Sequence, residues 1–252
     1  MKLNTRGWWS GIGALLLAVA ASSAAWAQVA PTADEAARYT GLHAAAQRGD
    51  AGAIRTLAGS GAQLNARDGY GRTPLHVATF ARQREAFRAL ALAGADLNLL
   101  ENDRYDAVTI ASVADDEETL RLLLSLGASA RQVTSRWDGT ALIAAAHLGH
   151  DGVVRQLIGA GAPLDHVNNL HWTAATESIV LGNGGPRHQA SLKALIDARA
   201  NLQLADRQGQ TPLQLARSRG YAEMVKMLEA AGARWPTGSG LRHARELGLA
   251  PL

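Results

Sequence analysis

The hexapeptide Thr73-Pro74-Leu75-His76-Val77-Ala78 decides the fold, because related segments recur along the chain at a nearly constant interval. Successive copies lie 33, 33, 34, 33 and 38 residues apart, and the other five begin at Thr40, Asp106, Thr140, Thr173 and Thr211. In five of the six copies a Gly-Ala pair follows 21 residues after the first residue. A fixed period of this length predicts a repeat protein, in which similar supersecondary units stack on one another.

Each copy carries the signals of two short helices joined by a turn. Thr73 is a good N-cap residue, and Pro74 suits the first helical position, where its missing N–H is not needed. In the fourth copy Gly149-His150 marks the turn. The apolar residues after it recur at helical spacing, namely Val153, Val154, Leu157 and Ile158. A glycine then suits the left-handed conformation that ends the second helix. One such pair cannot bury its apolar face alone, so stacking must supply the core.

These motifs resemble the ankyrin repeat, whose units read T-P-L-H-x-A-A, then a G-H turn, a second helix and a G-A-D-V-N-A ending. The resemblance covers about residues 34–235. It implies an all-α ankyrin-repeat solenoid of helix-turn-helix pairs, with projecting β-hairpin loops between neighbours. It also implies recognition of another protein through these hairpin loops, here called fingers, and through the concave helix face.

The predicted organisation has four parts. Residues 1–27 are a signal peptide, residues 28–38 an N-terminal cap segment, residues 39–235 six repeats, and residues 236–252 a C-terminal half-repeat cap. The repeats are expected at about 35–66, 67–100, 101–133, 134–167, 168–205 and 206–235. The half-repeat would offer Leu241, Ala244 and Leu247 to the last repeat and its charged residues to water.

The N-terminus has the pattern of a secretory signal peptide. Lys2 and Arg6 accompany an apolar run over residues 11–21, and Ala25-Trp26-Ala27 supplies the small residues that signal peptidase requires. The run is shorter than the roughly 20 residues that span a bilayer, which disfavours a retained anchor. We therefore expect cleavage after Ala27 and a periplasmic or secreted protein, with no membrane insertion of the mature chain.

Composition narrows the possible partners. The 252 residues include no cysteine, so the chain forms no disulfide. The formal net charge is +3, and loss of Lys2 and Arg6 with the signal peptide leaves +1, which gives no reason to expect a nucleic acid partner. The sequence has no G-x-S-x-G elbow, P-loop or dinucleotide fingerprint, and an open solenoid lacks a deep apolar pocket. We expect a monomer that is not an enzyme and uses no cofactor.

Aromatic residues are concentrated just before the first helix of each repeat, where the fingers are expected. They are Tyr39, Tyr70, Tyr105, Trp137 and Trp172. Such rings are good binding anchors, although they could instead pack between adjacent fingers and set their spacing. Phe80, in the first helix of the second repeat, should face the concave groove. The predicted partner-binding residues are Tyr70, Arg72, Phe80, Tyr105, Trp137, Trp172, Glu177, Arg187 and His188.

The fifth copy departs most from the pattern. Its period is 5 residues longer than that of the first copies, and we expect the extra length between its two helices, at residues 181–189. Glu177 stands where other copies place apolar or small residues, so it must be hydrogen-bonded or charge-paired. Amides of the glycine-rich insert or Arg187 are the expected partners. Glu177 could pin its own loop, or it could contact a ligand or a partner. Arg199 replaces the terminating glycine, in a left-handed conformation that costs about 1 kcal/mol.

The eight histidines raise the question of a metal site. The resemblance gives His43 and His76, at the TPLH position, a structural role that links neighbouring fingers. No H-E-x-x-H spacing occurs, so the metal hypothesis that we weigh is a zinc site from His166, His171 and His188; no metal is predicted. The first alternative function is therefore a small-ligand, metal-binding or envelope stress-protection role at the insert. The second alternative is a purely structural spacer.

Overall fold

The computed structural model describes residues 28–234, and within this range the chain forms thirteen helices and no β-strand. An isolated antiparallel bridge joins Thr134 and Gly139. The all-α class predicted from the sequence is confirmed. The predicted signal peptide and the predicted C-terminal half-repeat cap lie outside the described residues. Each helix between residues 28 and 234 is too short or too polar to span a bilayer.

A short helix, Ala33–Arg38, precedes six helix pairs, which are numbered here as repeats 1 to 6. The first member of each pair, helix A, spans Gly41–Arg48, Pro74–Phe80, Ala107–Val113, Ala141–Leu148, Ala174–Val180 and Pro212–Ser218. The second member, helix B, spans Ala51–Gly59, Arg84–Leu92, Glu117–Ser125, Asp151–Gly159, Pro186–Asp197 and Ala222–Ala230.

Local sequence signals explain where these helices begin and end. In repeat 2, Thr73 Oγ1 accepts a hydrogen bond from the His76 N–H, and His76 Nδ1 accepts one from the Thr73 N–H at 3.0 Å. This reciprocal arrangement satisfies two backbone donors that the first turn leaves without helical partners. In repeat 6, Gln214 takes the place of the histidine and accepts from the backbone of its own capping threonine at 2.8 Å. Helix B of repeat 5 is followed by Arg199 with φ of 67°, the left-handed conformation expected from the sequence.

The helices form two layers, because each helix A packs on the next helix A and each helix B on the next helix B. Alanines such as Ala45, Ala78 and Ala111 are buried in the A layer, and their small side chains allow neighbouring helices to approach closely. Larger side chains, such as Phe87 and Leu120, are buried on helix B. One continuous apolar core therefore runs through the stack.

The fingers are tied to one another through their backbones. Each finger closes on itself with a hydrogen bond, such as that from Asn168 N to Trp172 O at 3.1 Å. Further backbone bonds of 2.9 to 3.0 Å join successive fingers. These run from Asn102 N to Tyr70 O, from Ser135 N to Arg104 O and from Asn169 N to Trp137 O. The finger tips are thereby held at fixed positions along one edge of the stack.

Candidate binding surface and the fifth-repeat insert

The finger aromatics divide into an accessible and an inaccessible group. Tyr70 is 45% exposed, and Trp137 and Trp172 are partly exposed. Tyr105 is only 4% exposed and belongs to the core, where burial raises the pKa of its hydroxyl. The Tyr39 hydroxyl donates a hydrogen bond of 2.6 Å to Asp68 Oδ2 in the first finger. Three rings are therefore available to a partner, while Tyr39 and Tyr105 pack and anchor the fingers.

Arg72 is buried at the base of the first finger. Its Nε donates to Asp68 Oδ2 at 2.7 Å, and its Nη2 donates to Glu35 at 3.2 Å. The guanidinium also lies 4.5 Å from the centre of the Tyr70 ring. Burial alone would raise the pKa of the Asp68 carboxyl, but hydrogen bonds from Tyr39 and Arg72 hold that pKa below its usual value. With 1% of its surface exposed, Arg72 stabilises the finger and offers nothing to a partner.

Helix A contributes a second row of accessible side chains. The seventh residue of helix A is partly exposed in repeats 2 to 5. These four residues are Phe80, Val113, His147 and Val180. Since they occupy the same position on stacked helices, they form a strip of mostly apolar character that runs across four repeats. Phe80, predicted to contact a partner, begins this strip.

Glu177 is fully buried, and its carboxylate has two partners. Oε1 accepts a hydrogen bond from Asn168 Nδ2 at 2.8 Å, and Oε2 lies 3.0 Å from His147 Nδ1. The prediction that the insert amides or Arg187 would bind this carboxylate was wrong. Glu177 is the fourth residue of its seven-residue helix, whereas the insert begins after the last residue, so the carboxylate meets the finger and repeat 4 instead. Glu177 is a supporting residue and cannot be touched from outside.

The extra length of repeat 5 is shared between a turn and a helix. Five residues, 181–185, connect its two helices, compared with three residues, 81–83, in repeat 2. Helix B of repeat 5 is 12 residues long, whereas helix B of repeat 2 has 9. The insert therefore lies between the helices only in part, because three of its residues lengthen helix B.

Close contacts hold the insert against the repeats on either side. His188 Nε2 lies 2.9 Å from the carbonyl oxygen of His147, and His188 Nδ1 lies 3.0 Å from Asn183 Oδ1. The imidazole packs so closely over Gly149 that a Cβ at this glycine would lie 2.9 Å from the ring. On the other side, the Tyr221 hydroxyl donates to the carbonyl of Gly182 at 3.0 Å.

Arg187 extends the attachment as far as repeat 3. Its Nη2 lies 2.9 Å from Asp115 Oδ2, and its Nε lies 3.2 Å from Asp151 Oδ1. Burial alone would raise the pKa of Asp151, but hydrogen bonds from Arg155 and Arg187 lower it below its usual value. The insert thus joins repeat 5 to repeats 3, 4 and 6, although the Arg187 side chain remains 53% exposed.

The histidines of the zinc hypothesis are not brought together. His166 Nε2 lies 2.6 Å from the carbonyl of Asp138, His188 is engaged as described, and His171 is exposed on its finger. Within residues 28–234 no three His, Asp or Glu side chains are placed to hold a metal ion. Other histidines bond to backbone carbonyls of adjacent repeats, as His43 does to Arg72 O and His76 to Leu99 O. These rings link neighbouring repeats.

Sequence reasoning missed His147 and Asn168 as the partners of Glu177. A signal was present, because the first finger residue is acidic in repeats 2, 3 and 6 but is an amide in repeat 5. Asn168 Oδ1 still accepts hydrogen bonds from Leu170 N and Trp172 N, as the carboxylates do elsewhere. Its Nδ2 is an additional donor that aspartate lacks. An asparagine at the first finger position, together with a glutamate at a core position of the following helix A, therefore indicates a hydrogen-bonded pair.

Comparison of the sequence with known proteins finds a matching family and a related protein. The sequence profile of the family described as ankyrin repeats (3 copies) matches residues 15–101 and 142–236. The ankyrin repeat protein YahD of Escherichia coli K12 is 38% identical over 100 residues, which are 39% of this chain and 50% of YahD. The chain thus spans only half the length of that relative.

Two solved structures extend the comparison to three dimensions. An ankyrin repeat domain from Acinetobacter baumannii AYE is 44% identical with a TM-score of 0.73, over 77% of this chain and 98% of that domain. The ankyrin repeat domain of Bcl-3 is 25% identical with a TM-score of 0.69, over 79% of this chain and 88% of that domain.

Proposed function

The chain belongs to the ankyrin-repeat family, and from this premise we propose that it is a bacterial periplasmic module that binds a protein partner through its fingers and concave helix face. Ankyrin repeats are protein–protein interaction modules, and members of the family typically act without enzymatic activity. The observation that carries the proposal is the backbone ladder between fingers, which fixes the spacing of Tyr70, Trp137 and Trp172 before any partner arrives. A surface that is ordered in advance loses little conformational entropy on binding.

The proposed contact surface has a centre and an edge. Its centre consists of the three accessible finger rings, because tryptophan and tyrosine side chains contribute most to binding energy, and the helix A strip that begins at Phe80 adds apolar surface beside them. Arg187 and His188 lie at its edge, where Arg187 keeps an exposed guanidinium. Arg72, Tyr105 and Glu177 support the surface from beneath and are not part of it.

Site-specific photo-crosslinking tests this proposal in the living cell. A photoreactive phenylalanine analogue replaces Tyr70 or Trp172 on the fingers, and in a control variant it replaces Lys226 on the opposite, helix B side of repeat 6. We expect the finger positions to give the same discrete crosslinked band and the Lys226 position to give none. Mass spectrometry of the band identifies the partner. Crosslinking from Lys226 alone would place the partner elsewhere and contradict the proposed surface.

The proposed location has its own test. It is supported by the charged start, the short apolar run and the Ala25-Trp26-Ala27 site of the sequence. We expect the protein in the periplasmic fraction to begin at Gln28, as measured by intact mass and N-terminal sequencing. Replacement of Ala25 and Ala27 by Leu should block processing and leave a membrane-associated precursor. An unprocessed chain in the cytoplasmic fraction would exclude export.

A further inference from the structure

The outward side of helix B carries a basic residue at one fixed position in every repeat. This residue stands four places before the last residue of helix B and is exposed in all six repeats. The six residues are Arg55, Arg88, Arg121, Arg155, Lys193 and Lys226. They form a row along the face opposite to the A layer.

The row divides into two halves that differ in charge pairing. In repeats 4 to 6 the basic group pairs with a carboxylate of its own helix, at 2.6 to 2.8 Å. In repeats 1 to 3, Arg55, Arg88 and Arg121 form no ion pair with any carboxylate of residues 28–234 within the 4.0 Å that defines one. The N-terminal half of the row therefore presents guanidinium groups that form no direct ion pair within the described chain.

The unpaired arginines are one irregularity of this face, and Leu92 is a second. The last residue of helix B is small or polar in the other five repeats, namely Gly59, Ser125, Gly159, Asp197 and Ala230. In repeat 2 this residue is Leu92, and it is 75% exposed. A leucine so exposed buries little apolar surface and contributes little to the fold, and it places a large apolar side chain where the other repeats have none.

The arginines without ion pairs and the exposed Leu92 lie around one groove. The groove lies between helix B of repeat 1 and helix B of repeat 2 and has a volume of about 270 Å³. Arg55, Arg88 and Leu92 border it, and Ala58 and Ala89 are among its remaining lining residues. Two arginines without an ion pair among residues 28–234 and the exposed Leu92 therefore face the same space, which we name the outer groove.

We infer that the outer groove docks a segment of a partner protein in which acidic residues flank an apolar side chain. The planar guanidinium groups of Arg55 and Arg88 match carboxylates in a bidentate manner, and Leu92 with the groove alanines would cover the apolar side chain. Glu85 also lines the groove, so the local charge is mixed. Because of Glu85, a peptide that places its carboxylates beside the arginines alone suits the groove better than a uniformly anionic surface such as a membrane or a nucleic acid. This site is separate from the finger surface and does not depend on it.

A peptide library with a paired counter-selection tests the inference. Random 12-residue peptides displayed on phage are selected on the wild-type protein, after depletion on the Arg55→Glu/Arg88→Glu variant. We expect enriched peptides that combine Asp or Glu with Leu, Ile or Phe. Fluorescence anisotropy then measures the affinity of an enriched peptide. The Arg55→Glu/Arg88→Glu and Leu92→Ser variants should each bind at least tenfold more weakly, and affinity should fall with rising salt.

The second half of the row supplies a matched control. In Arg155→Glu/Lys193→Glu the same helix positions change in repeats 4 and 5, outside the outer groove, so affinity should change less than twofold. All the substituted side chains are exposed, and circular dichroism melts should show that every variant folds. Absence of acidic peptides among the enriched clones would overturn the inference. So would binding that depends on Trp137 and Trp172, binding of phosphatidylglycerol vesicles lost in the same Arg55→Glu/Arg88→Glu variant, or a protein dimer in sedimentation that this variant abolishes.

Discussion

Repeat 2 and repeat 5 occupy equivalent places in the stack but fill the centre of helix A with opposite chemistry. In repeat 2 the fourth residue of helix A is Val77, and in repeat 5 it is Glu177; both are fully buried. Val77 stabilises its repeat by burial of apolar surface, which depends on no particular neighbour. Glu177 is tolerated only because Asn168 and His147 hydrogen-bond to it. Its neighbours must therefore supply hydrogen-bond donors as well as fill the space around it.

The turns between the two helices also differ, because that of repeat 5 depends on polar contacts with other repeats. Residues 81–83 of repeat 2 make a short connection between the helices, whereas the connection and longer helix of repeat 5 contact repeats 3, 4 and 6. An irregular repeat is thus joined to its surroundings by specific polar contacts where a regular one uses apolar stacking. It follows that substitutions of single polar neighbours should cost more in repeat 5 than in other repeats.

The largest effect is expected for Asn168→Asp. The change replaces the donor Nδ2 by a carboxylate oxygen 2.8 Å from Glu177 Oε1 and leaves two carboxylates facing one another inside the protein. Disruption of a buried charge interaction of this kind costs about 3–5 kcal/mol. Chemical denaturation monitored by circular dichroism should show this loss in the free energy of unfolding.

Repeat 6 provides the control for this prediction. Asp206 occupies the same finger position and accepts hydrogen bonds from Gln208 N and Gln210 N, which an amide oxygen can also accept. We expect Asp206→Asn to cost less than about 1 kcal/mol. The double variant Asn168→Asp/Glu177→Gln should recover much of the lost stability, because the new amide donates to the new carboxylate. Equal losses for the two finger variants would show that Glu177 does not depend on Asn168.

A second large effect is expected at His76 of repeat 2, where stability should depend on pH between 6.5 and 4. Burial lowers the pKa of His76 from its ordinary value of 6.5 to about 4, because the imidazolium form is disfavoured inside the protein. Between pH 6.5 and pH 4 the unfolded chain binds a proton at this position and the folded chain does not. The stability contributed by neutral His76 is therefore complete above pH 6.5 and is lost as the pH falls to 4, by about 3 kcal/mol at most.

The variant His76→Gln isolates this contribution. Gln214 shows that glutamine can make the same cap in repeat 6, so the variant should fold at neutral pH. Urea denaturation at several pH values should give a shallower decline for the variant than for the wild type. Asp106, whose pKa is raised by burial, acts in the opposite direction but is common to both proteins. Parallel curves for the two proteins would show that His76 is not the titrating group.

The regular repeats could be predicted in detail because their signals are local. Thr73, Pro74 and His76 define a helix start through bonds within four residues, and a fixed period then specifies stacking. The left-handed conformation of Arg199 followed from the same register. The extent of the surface could be predicted only in part. Burial of Arg72 depends on contacts with the N-terminal segment, which no motif describes.

The partners of Glu177 and Arg187 could not be predicted for a related reason. Arg187 reaches Asp115, which lies 72 residues earlier in the sequence, from the first turn of a helix B that is longer than those of the other repeats. The sequence shows that five residues are added, but the division between turn and helix depends on how Tyr221 and His188 pack against the glycines of the turn. Such packing is a property of three repeats together.

An intermediate effect is expected where the insert meets repeat 6. Gly184 has φ of 69°, and a Cβ there would lie 2.6 Å from the Tyr221 ring. Gly209, in the next finger, has φ of 73° and no atom within 4 Å of the same position. Both Gly→Ala substitutions carry the left-handed cost of about 1 kcal/mol, and Gly184→Ala should lose about 1–2 kcal/mol more through the clash. If denaturation gives equal losses, the insert does not pack on Tyr221.

The smallest effect is expected at the end of helix B. At this position the residues of repeats 5 and 2 can be exchanged in both directions. Arg199 in repeat 5 and Gly94 in repeat 2 both follow helix B with positive φ, at 67° and 98°. Arg199→Gly removes a strain of about 1 kcal/mol, which the greater freedom of glycine in the unfolded chain offsets in part. We expect the melting temperature to rise by about 1–4 °C.

Gly94→Arg makes the opposite exchange at a position where a Cβ meets no atom within 4 Å, so its effect should come from the backbone alone. The melting temperature should fall by at least as much as it rises in Arg199→Gly. A rise in melting temperature for Arg199→Gly and a fall for Gly94→Arg would mean that both repeats end helix B with the same preference for glycine in the left-handed conformation. The two repeats would then differ only in the chemistry of their centres and turns. A fall in both variants would instead mean that the Arg199 side chain makes a stabilising contact that outweighs its strained backbone.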